Sequence, residues 1–147
     1  MTRIRTATLD DAEAIQQCIH SVIDQALSSK DALQLFDLAG LSKVIEDPSY
    51  GYLVYEQDGQ IIGCIAYRKS AHLYHFFTHA HVQGTGIGRQ LWAEILKQIR
   101  QTGQDCMTVN ASLNAVALYQ HWGFEKLQNE PEIYQNIQFM PMKKYLK

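Results

Sequence analysis

Between His72 and Trp92 the chain reads HLYHFFTHAHVQGTGIGRQLW, which gathers three glycines and four histidines into one short stretch. An apolar, strand-like run enters the glycines and a helix-like pattern leaves them. Glycine lets backbone approach a ligand closely and supplies dihedrals closed to other residues. The first N–H groups of a following helix have no internal partners, and the helix dipole favours an anion beside them. Gly84, Gly86 and Gly88 therefore read as a diphosphate cradle, because one tight turn needs fewer glycines than this. Two familiar phosphate motifs fail here. A dinucleotide fingerprint wants its third glycine at position 89, which is Arg89, and a P-loop wants Lys then Ser or Thr where this chain has GRQ.

The elements that must hold this loop can be read on either side of it. RIRTA is strand-like, and Thr8 with Asp11 forms a loose capping box ahead of a helix whose Ile15, Ile19, Val22 and Ile23 share a face. A second, uneven helical segment runs through DALQLFDLAGLSKVIED, with Gly40 expected to interrupt it and Pro48 beyond its end. YLVYE and IIGCIAYR are β-rich, and Asp58-Gly59 between them signals a hairpin. HLYHFFT is the next strand. In GRQLWAEILKQIR, Leu91, Ile95 and Ile99 fall on one helix face. A strand CMTVNA, a short helix around NAVALYQHW and a stop at Gly123 follow. A further strand is expected from Phe124. IQFMPMKKYL should be an edge strand or carry a bulge, since Pro141 cannot donate to a ladder. The order β-α-α-β-β-β-α-β-α-β predicts a mixed α/β (α+β) domain with a largely antiparallel first half.

Length and composition narrow the function classes. At 147 residues the chain suits one domain, with 46% hydrophobic and 19% charged residues. Net charge is −2, and the only basic run, MKKYLK, reads as a solvated chain end. Nucleic-acid binding usually needs a concentrated basic footprint, so no nucleic-acid partner is expected. Cys18, Cys64 and Cys106 are odd in number and far apart, which fits a reducing compartment rather than a disulfide framework. MTRIRTATLDD lacks a signal-peptide core, and no apolar run approaches the ~20 residues that span a bilayer. A cytoplasmic protein without a membrane partner is expected.

Gln83-Gly84-Thr85-Gly86-Ile87-Gly88, on a strand-loop-helix, resembles the Gln/Arg-x-x-Gly-x-Gly/Ala signature of the GNAT superfamily of acyl-CoA N-acyltransferases. ALYQHWGF, Ala117 to Phe124, resembles that superfamily's second landmark, a Tyr four residues before Gly-Phe. IRTATLDDAEAI looks like its opening and FMPMKKYL like its closing strand, so the resemblance spans essentially residues 1–147 as one N-acetyltransferase domain. It implies a GNAT-like, mostly antiparallel central sheet flanked by about four helices. It also implies acetyl-CoA as co-substrate, no metal, and direct transfer of the acetyl group to a primary amine of a small molecule or peptide.

Carried over residue by residue, the resemblance puts the diphosphate on the N–H groups of Gln83, Gly84, Thr85, Gly86, Ile87, Gly88 and Arg89. Many members have Arg where this chain has Gln83, and Arg89 is the nearby charge that would compensate. The pantetheine arm would pair with the strand through Phe76 and Thr78, and the Phe76 N–H would face the thioester oxygen. A donor placed there can be worth ~3 kcal/mol as charge builds on that oxygen. Tyr119 matches the tyrosine that protonates the departing CoA thiolate. The family's Asn at the start of this helix is Ser112 here, flanked by Asn110 and Asn114. Either Asn could meet the pantetheine, or the NASLN stretch could serve only as a helix cap.

A neutral amine is needed for attack, yet an alkylamine of pKa ~10.4 is mostly protonated at pH 7. Many members use a Glu on the strand before the loop, which this strand lacks. Its AHLYHF is similar to the AHLH of arylalkylamine N-acetyltransferases, so His72 falls on the first of two catalytic histidines and Tyr74 replaces the second. Strict alternation would put His72, Tyr74, Phe76 and Thr78 on one face and His75 on the other. His72 is thus the expected base, His75 is expected to be packed or surface-exposed, and His79 and His81 to be solvated in the turn. A metal site from the four histidines is not expected, because no Cys or acid accompanies them and alternation divides them.

Two other readings stand beside the transferase: a non-catalytic acyl-CoA-binding regulatory module, and a tRNA-directed acyltransferase, against which the missing basic stripe counts. The acceptor should be chosen by the early helices and the segment before the last strand, where Phe36, Leu38, Glu130, Glu132 and Tyr134 are candidate walls. Similar domains often pair, so a homodimer is an expectation taken from the resemblance.

Overall fold

A two-residue turn with both residues at positive φ, Asp58 at 52° and Gly59 at 82°, joins β2 (Tyr50–Gln57) to β3 (Gln60–Arg68), as their Asp-Gly pair predicts. The computed structural model describes residues 1–26, 36–134 and 137–146. Residues 31–35 of the expected second helix and residues 135–136 of QNEPEIYQN lie outside that description.

The hairpin seeds a sheet in the order β1-β2-β3-β4-β5-β8-β6, with β7 also paired to β8. Its other strands are β1 (Thr2–Thr6), β4 (His72–Thr78), β5 (Cys106–Ser112), β6 (Glu125–Lys126), β7 (Glu132–Tyr134) and β8 (Ile137–Tyr145). Every neighbouring pair is antiparallel except β4 and β5. Among the described residues there are four α-helices: α1 (Ala12–Ala26), α2 (Leu38–Glu46), α3 (Ile87–Gln101) and α4 (Val116–His121). The fold is the expected mixed α/β, mostly antiparallel sheet flanked by helices.

The sheet buries a separate apolar layer on each face. Ile15, Ile19 and Ile23 of α1 and Leu41 of α2 pack on Tyr52, Val54, Cys64 and Ala66. On the other face Ile87, Leu91, Ile95 and Ile99 of α3, joined by Tyr119, pack on Leu53, Ile65, Leu73, Met107 and Val109. The i, i+4 spacing of the α3 residues makes that stripe, and period-two alternation of the strands supplies both floors.

Arg5 adds a cluster that sequence reading missed. Its guanidinium holds Asp11 bidentately at 2.8 and 2.9 Å, and its Nε reaches Glu56 at 2.7 Å. Asp11 also accepts the Thr8 N–H at 2.8 Å, so the capping box is tied to β1 and β2. The facing guanidinium holds both carboxyls below their usual range.

Two expectations are corrected. Gly40 does not interrupt a helix: it lies in the first turn of α2, where its N–H donates to the N-cap Asp37 Oδ1 at 2.7 Å. β8 is not an edge strand, since it lies between β5 and the short β6 and β7. Pro141 is tolerated because its carbonyl accepts the Leu127 N–H at 3.0 Å, on the outer side. N and O of one residue point the same way in a strand, so its missing N–H falls between the segments paired to β6 and to β7. The expected strand after Phe124 is β6, while β7 was not foreseen.

Candidate active site

β4 and β5 run parallel, but their ladder holds only His72 to Thr108 and Leu73 to Val109. Beyond it the strands part, and a cavity of about 220 Å³ opens between them. Leu73, Phe76, Val109, Ala111, Ala115 and Tyr119 reach it from the α3 side, and Ile23, Phe36, Phe77 and Ile137 from the α1 side. The opening therefore passes through the sheet from one apolar layer to the other.

A β-bulge sets which side chains meet there. Ala66 pairs with His75 and Tyr67 with Leu73, which leaves Tyr74 as an extra residue in β4. Leu73 and Phe76 consequently both join the α3-side layer, a spacing that strict alternation forbids. Phe77 joins the α1-side layer, and His75 sits edge-on to it and to Phe36. His72 bonds Thr108, whose neighbours Met107 and Val109 face α3, so His72 lies on the α1 side. The expected face shared by His72 and Phe76 is thus corrected: His72 and Phe76 are on opposite faces, and His72 shares its face with His75.

Strand geometry also aims the β4 backbone. The His79 N–H donates to the Ile62 carbonyl of β3 at 2.8 Å. N–H groups alternate along a strand, so those of Phe77 and His75 face β3 while those of Phe76 and Thr78 face the gap. Phe76 is further fixed by its ring, which stacks on Trp122 with centroids 5.7 Å apart.

At the upper end of the gap is the glycine loop. Gly84 and Gly86 have φ of 83° and 91°, and Gly86 is the N-cap of α3. Both require glycine for conformation, and a Cβ on either would meet nothing within 4 Å. Gly88 has no such φ; it lies in the first turn, where an added Cβ would sit 3.6 Å from Thr78 Cγ2 and 3.7 Å from the Phe76 ring. The Gln90 N–H is the first to bond back, to the Gly86 carbonyl at 3.1 Å. The amides of Ile87, Gly88 and Arg89 precede it and point out of the helix end. Gln83 Nε2 ties the loop to the Thr78 carbonyl at 3.3 Å, and the Thr85 hydroxyl donates to the Val82 carbonyl. The Arg89 side chain is exposed at the same end. The cradle is therefore backbone, pre-shaped, and next to the gap.

Tyr119 reaches the cavity from α4. It is buried, edge-on to Phe124 at 5.3 Å and to Trp122 at 6.2 Å, and burial raises its phenol well above the ordinary value. It stays protonated, a donor rather than a base. Asn110 and Ser112 line the cavity, whereas Asn114 is not among its lining residues and accepts the Ser112 hydroxyl at 2.9 Å.

The histidines separate. His72 is half-buried with Nδ1 2.7 Å from Thr108 Oγ1, its basicity lowered by burial and by Arg68, and it is not among the lining residues. His75 does line the cavity; it is buried, its Nδ1 is 3.0 Å from the Tyr52 hydroxyl, and burial lowers its pKa to about 3. His79 and His81 stack on each other in the turn before the loop, 4.8 Å apart. No group of three or more His, Cys, Asp or Glu suited to a metal gathers among the described residues.

Of the candidate acceptor walls, Phe36 lines the cavity, Glu132 and Tyr134 line an adjoining groove, and Leu38 and Glu130 line neither. Sequence reading missed His75 as a lining residue: it lies opposite Phe76, as alternation predicts, and reaches the cavity because the gap passes through the sheet. It also missed Ile137 and Phe139, whose alternation in IQF was the available signal.

The family model described as an acetyltransferase (GNAT) domain matches residues 16–146. A GCN5-related N-acetyltransferase from Rhodopseudomonas palustris superposes with a TM-score of 0.85 at 18% identity, over 99% of this chain and 96% of that one. The PaiA N-acetyltransferase of Thermoplasma acidophilum, in complex with coenzyme A, gives 0.81 at 16%, over 99% of each chain. A ribosomal-protein-alanine N-acetyltransferase from Brucella melitensis gives 0.78 at 23%, over 97% of this chain and 99% of that one. At these identities the structures speak for the fold alone. No curated protein matches the chain by sequence. With a family match over nearly its whole length, the chain belongs to the GNAT family of acetyltransferases.

Proposed function

We propose that the protein is an acetyl-CoA-dependent N-acetyltransferase, one domain over residues 1–147, that moves the acetyl group directly to a primary amine. The observation that carries this reading is the cavity through the sheet, with a glycine cradle at one end and Tyr119 in its wall. In this reading the amides from Gln83 to Arg89 hold the diphosphate, and the gap-facing amides of Phe76 and Thr78 receive the pantetheine and the thioester oxygen. Asn114, engaged by Ser112, shapes the turn beside the arm, and Asn110 and Ser112 line the cavity itself.

The amine lone pair attacks the thioester carbon and the Phe76 N–H stabilises the oxyanion. The C–S bond breaks, and the phenol of Tyr119 protonates the leaving thiolate. The proton lost by nitrogen leaves through water, with His72 as base from the α1 face. A phenol positioned to donate to the leaving thiolate supplies general-acid catalysis worth ~10²-fold or more. Among the described residues no helix is long and apolar enough to cross a membrane, and Cys18 and Cys64 are free and buried. These features accord with a cytoplasmic setting.

The test is release of free thiol from acetyl-CoA over a panel of amines, beside a no-amine blank and a Tyr119→Phe variant. Amine-dependent release that falls in the variant is the expected result. Acetyl-CoA bound without transfer to any amine would instead make the protein a CoA-binding regulatory module.

A further inference from the structure

The two halves of the cavity differ in chemistry. The α1-side half is walled by rings: Phe36, Tyr74, His75, Phe77 and Phe139, closed by Ile137. Four of these rings form a continuous set, with Tyr74 stacked on His75 at 4.3 Å and Phe36 edge-on to His75 at 5.2 Å and to Phe77 at 5.5 Å. Tyr74 also tilts on Tyr50 at 5.1 Å, so the wall is braced from behind. Outward, the cavity shares Tyr74, Asn110, Ile137 and Phe139 with a groove that adds Glu132, Ile133 and Tyr134. Ile133 and Tyr134 are 67% and 60% exposed there.

Charge is the second observation. Among the described residues lining the cavity there is no Asp, Glu, Lys or Arg. A second ammonium or a carboxylate on the acceptor would meet no opposite charge there, only neutral groups such as Asn110, Ser112 and Gln138, and giving up its hydration would cost several kcal/mol. The groove's carboxylate, Glu132, is exposed and lies outside the cavity. Deep in the ring wall sits a group suited to a neutral nitrogen: the His75 imidazole, anchored through Nδ1 by the Tyr52 hydroxyl at 3.0 Å. Its other nitrogen, Nε2, is the one with which the ring can meet a ligand.

We infer that the acceptor is a primary amine on an aromatic or similarly bulky apolar body with no second charge, its body held by Tyr74, Ile137 and Phe139 and its nitrogen beside His75. The inference rests on the transferase reading and deepens it. Flat apolar walls reward a ring through area and offset stacking, and the few polar groups fix its orientation. Polyamines, amino acids and charged peptide ends are the classes this wall rejects.

The experiment is steady-state acetyl transfer by the full chain to 2-phenylethylamine, spermidine, glutamate and an alanine-headed peptide, repeated with Tyr74→Ala. Tyr74 is 39% exposed, so the variant should fold. The expected result is kcat/KM for 2-phenylethylamine at least about tenfold above the other three, a preference that Tyr74→Ala largely removes. Equal or better use of spermidine, glutamate or the peptide overturns the inference and leaves transferase chemistry standing. If no amine is acetylated, the transferase reading falls, and calorimetry of the same four compounds on the CoA-bound protein decides the inference by itself. Preferential binding of 2-phenylethylamine would uphold the apolar subsite, and equal or absent binding would overturn it.

Discussion

The proposed donor end and the proposed acceptor end of the cleft are built from different materials. Around Gly84 to Arg89 the site is backbone: two positive-φ glycines, a helix end, and amides whose direction follows from strand and helix geometry. Around His75 it is side chain, with rings contributed by β4, β8 and Phe36, two residues before α2, in a register set by one extra residue in β4. Backbone geometry suits a ligand part that never changes, while side chains can be exchanged without disturbing the fold. One scaffold can thus keep its donor and vary its acceptor.

Substitutions can break this division, and the largest effect should come where the halves meet. Tyr119→Phe should lower kcat by ~10²-fold or more with little change in acetyl-CoA affinity, as measured by steady-state kinetics and calorimetry. Loss of affinity at unchanged turnover would make Tyr119 a wall rather than an acid. Gly86→Val should raise the KM for acetyl-CoA by about tenfold or more, because a branched residue at φ 91° costs ~1–3 kcal/mol. The acceptor KM should scarcely move.

On the other side, Phe139→Ala should raise the acceptor KM by about tenfold and spare acetyl-CoA, the reverse pattern. A smaller effect concerns pH. Burial holds His75 at about 3, below the ~6.5 of an unfolded chain, so between those values the unfolded state binds the extra proton. Stability from the neutral imidazole is whole above about pH 6.5 and declines as pH falls towards 3, by up to about 1.4 kcal/mol per unit. Urea titrations from pH 7 to 5 should show that slope, and His75→Gln should flatten it.

The same division explains what could be read before the structure. Gly84, Gly86, Asp58-Gly59 and the Leu91, Ile95, Ile99 stripe act through local rules, and each stands where its spacing placed it. Gly40 misled because helix starts and helix breaks share residue types, and only the Asp37 cap tells them apart. Pro141 misled because a strand between two neighbours can still have a gap on one side. The acceptor half was least legible. The Tyr74 bulge follows from strand pairing and not from any local pattern, and it sets His72 opposite Phe76 and on the face of His75. Arg5, Asp11 and Glu56 are likewise a tertiary arrangement that no spacing announces.

The proposed direct transfer requires donor and acceptor to occupy opposite faces of one opening at the same time. Initial rates measured over a grid of acetyl-CoA and acceptor concentrations test it most directly. Intersecting reciprocal plots, the signature of a ternary complex, are predicted. Parallel lines would show that the acetyl group is first passed to the protein, and would contradict direct transfer.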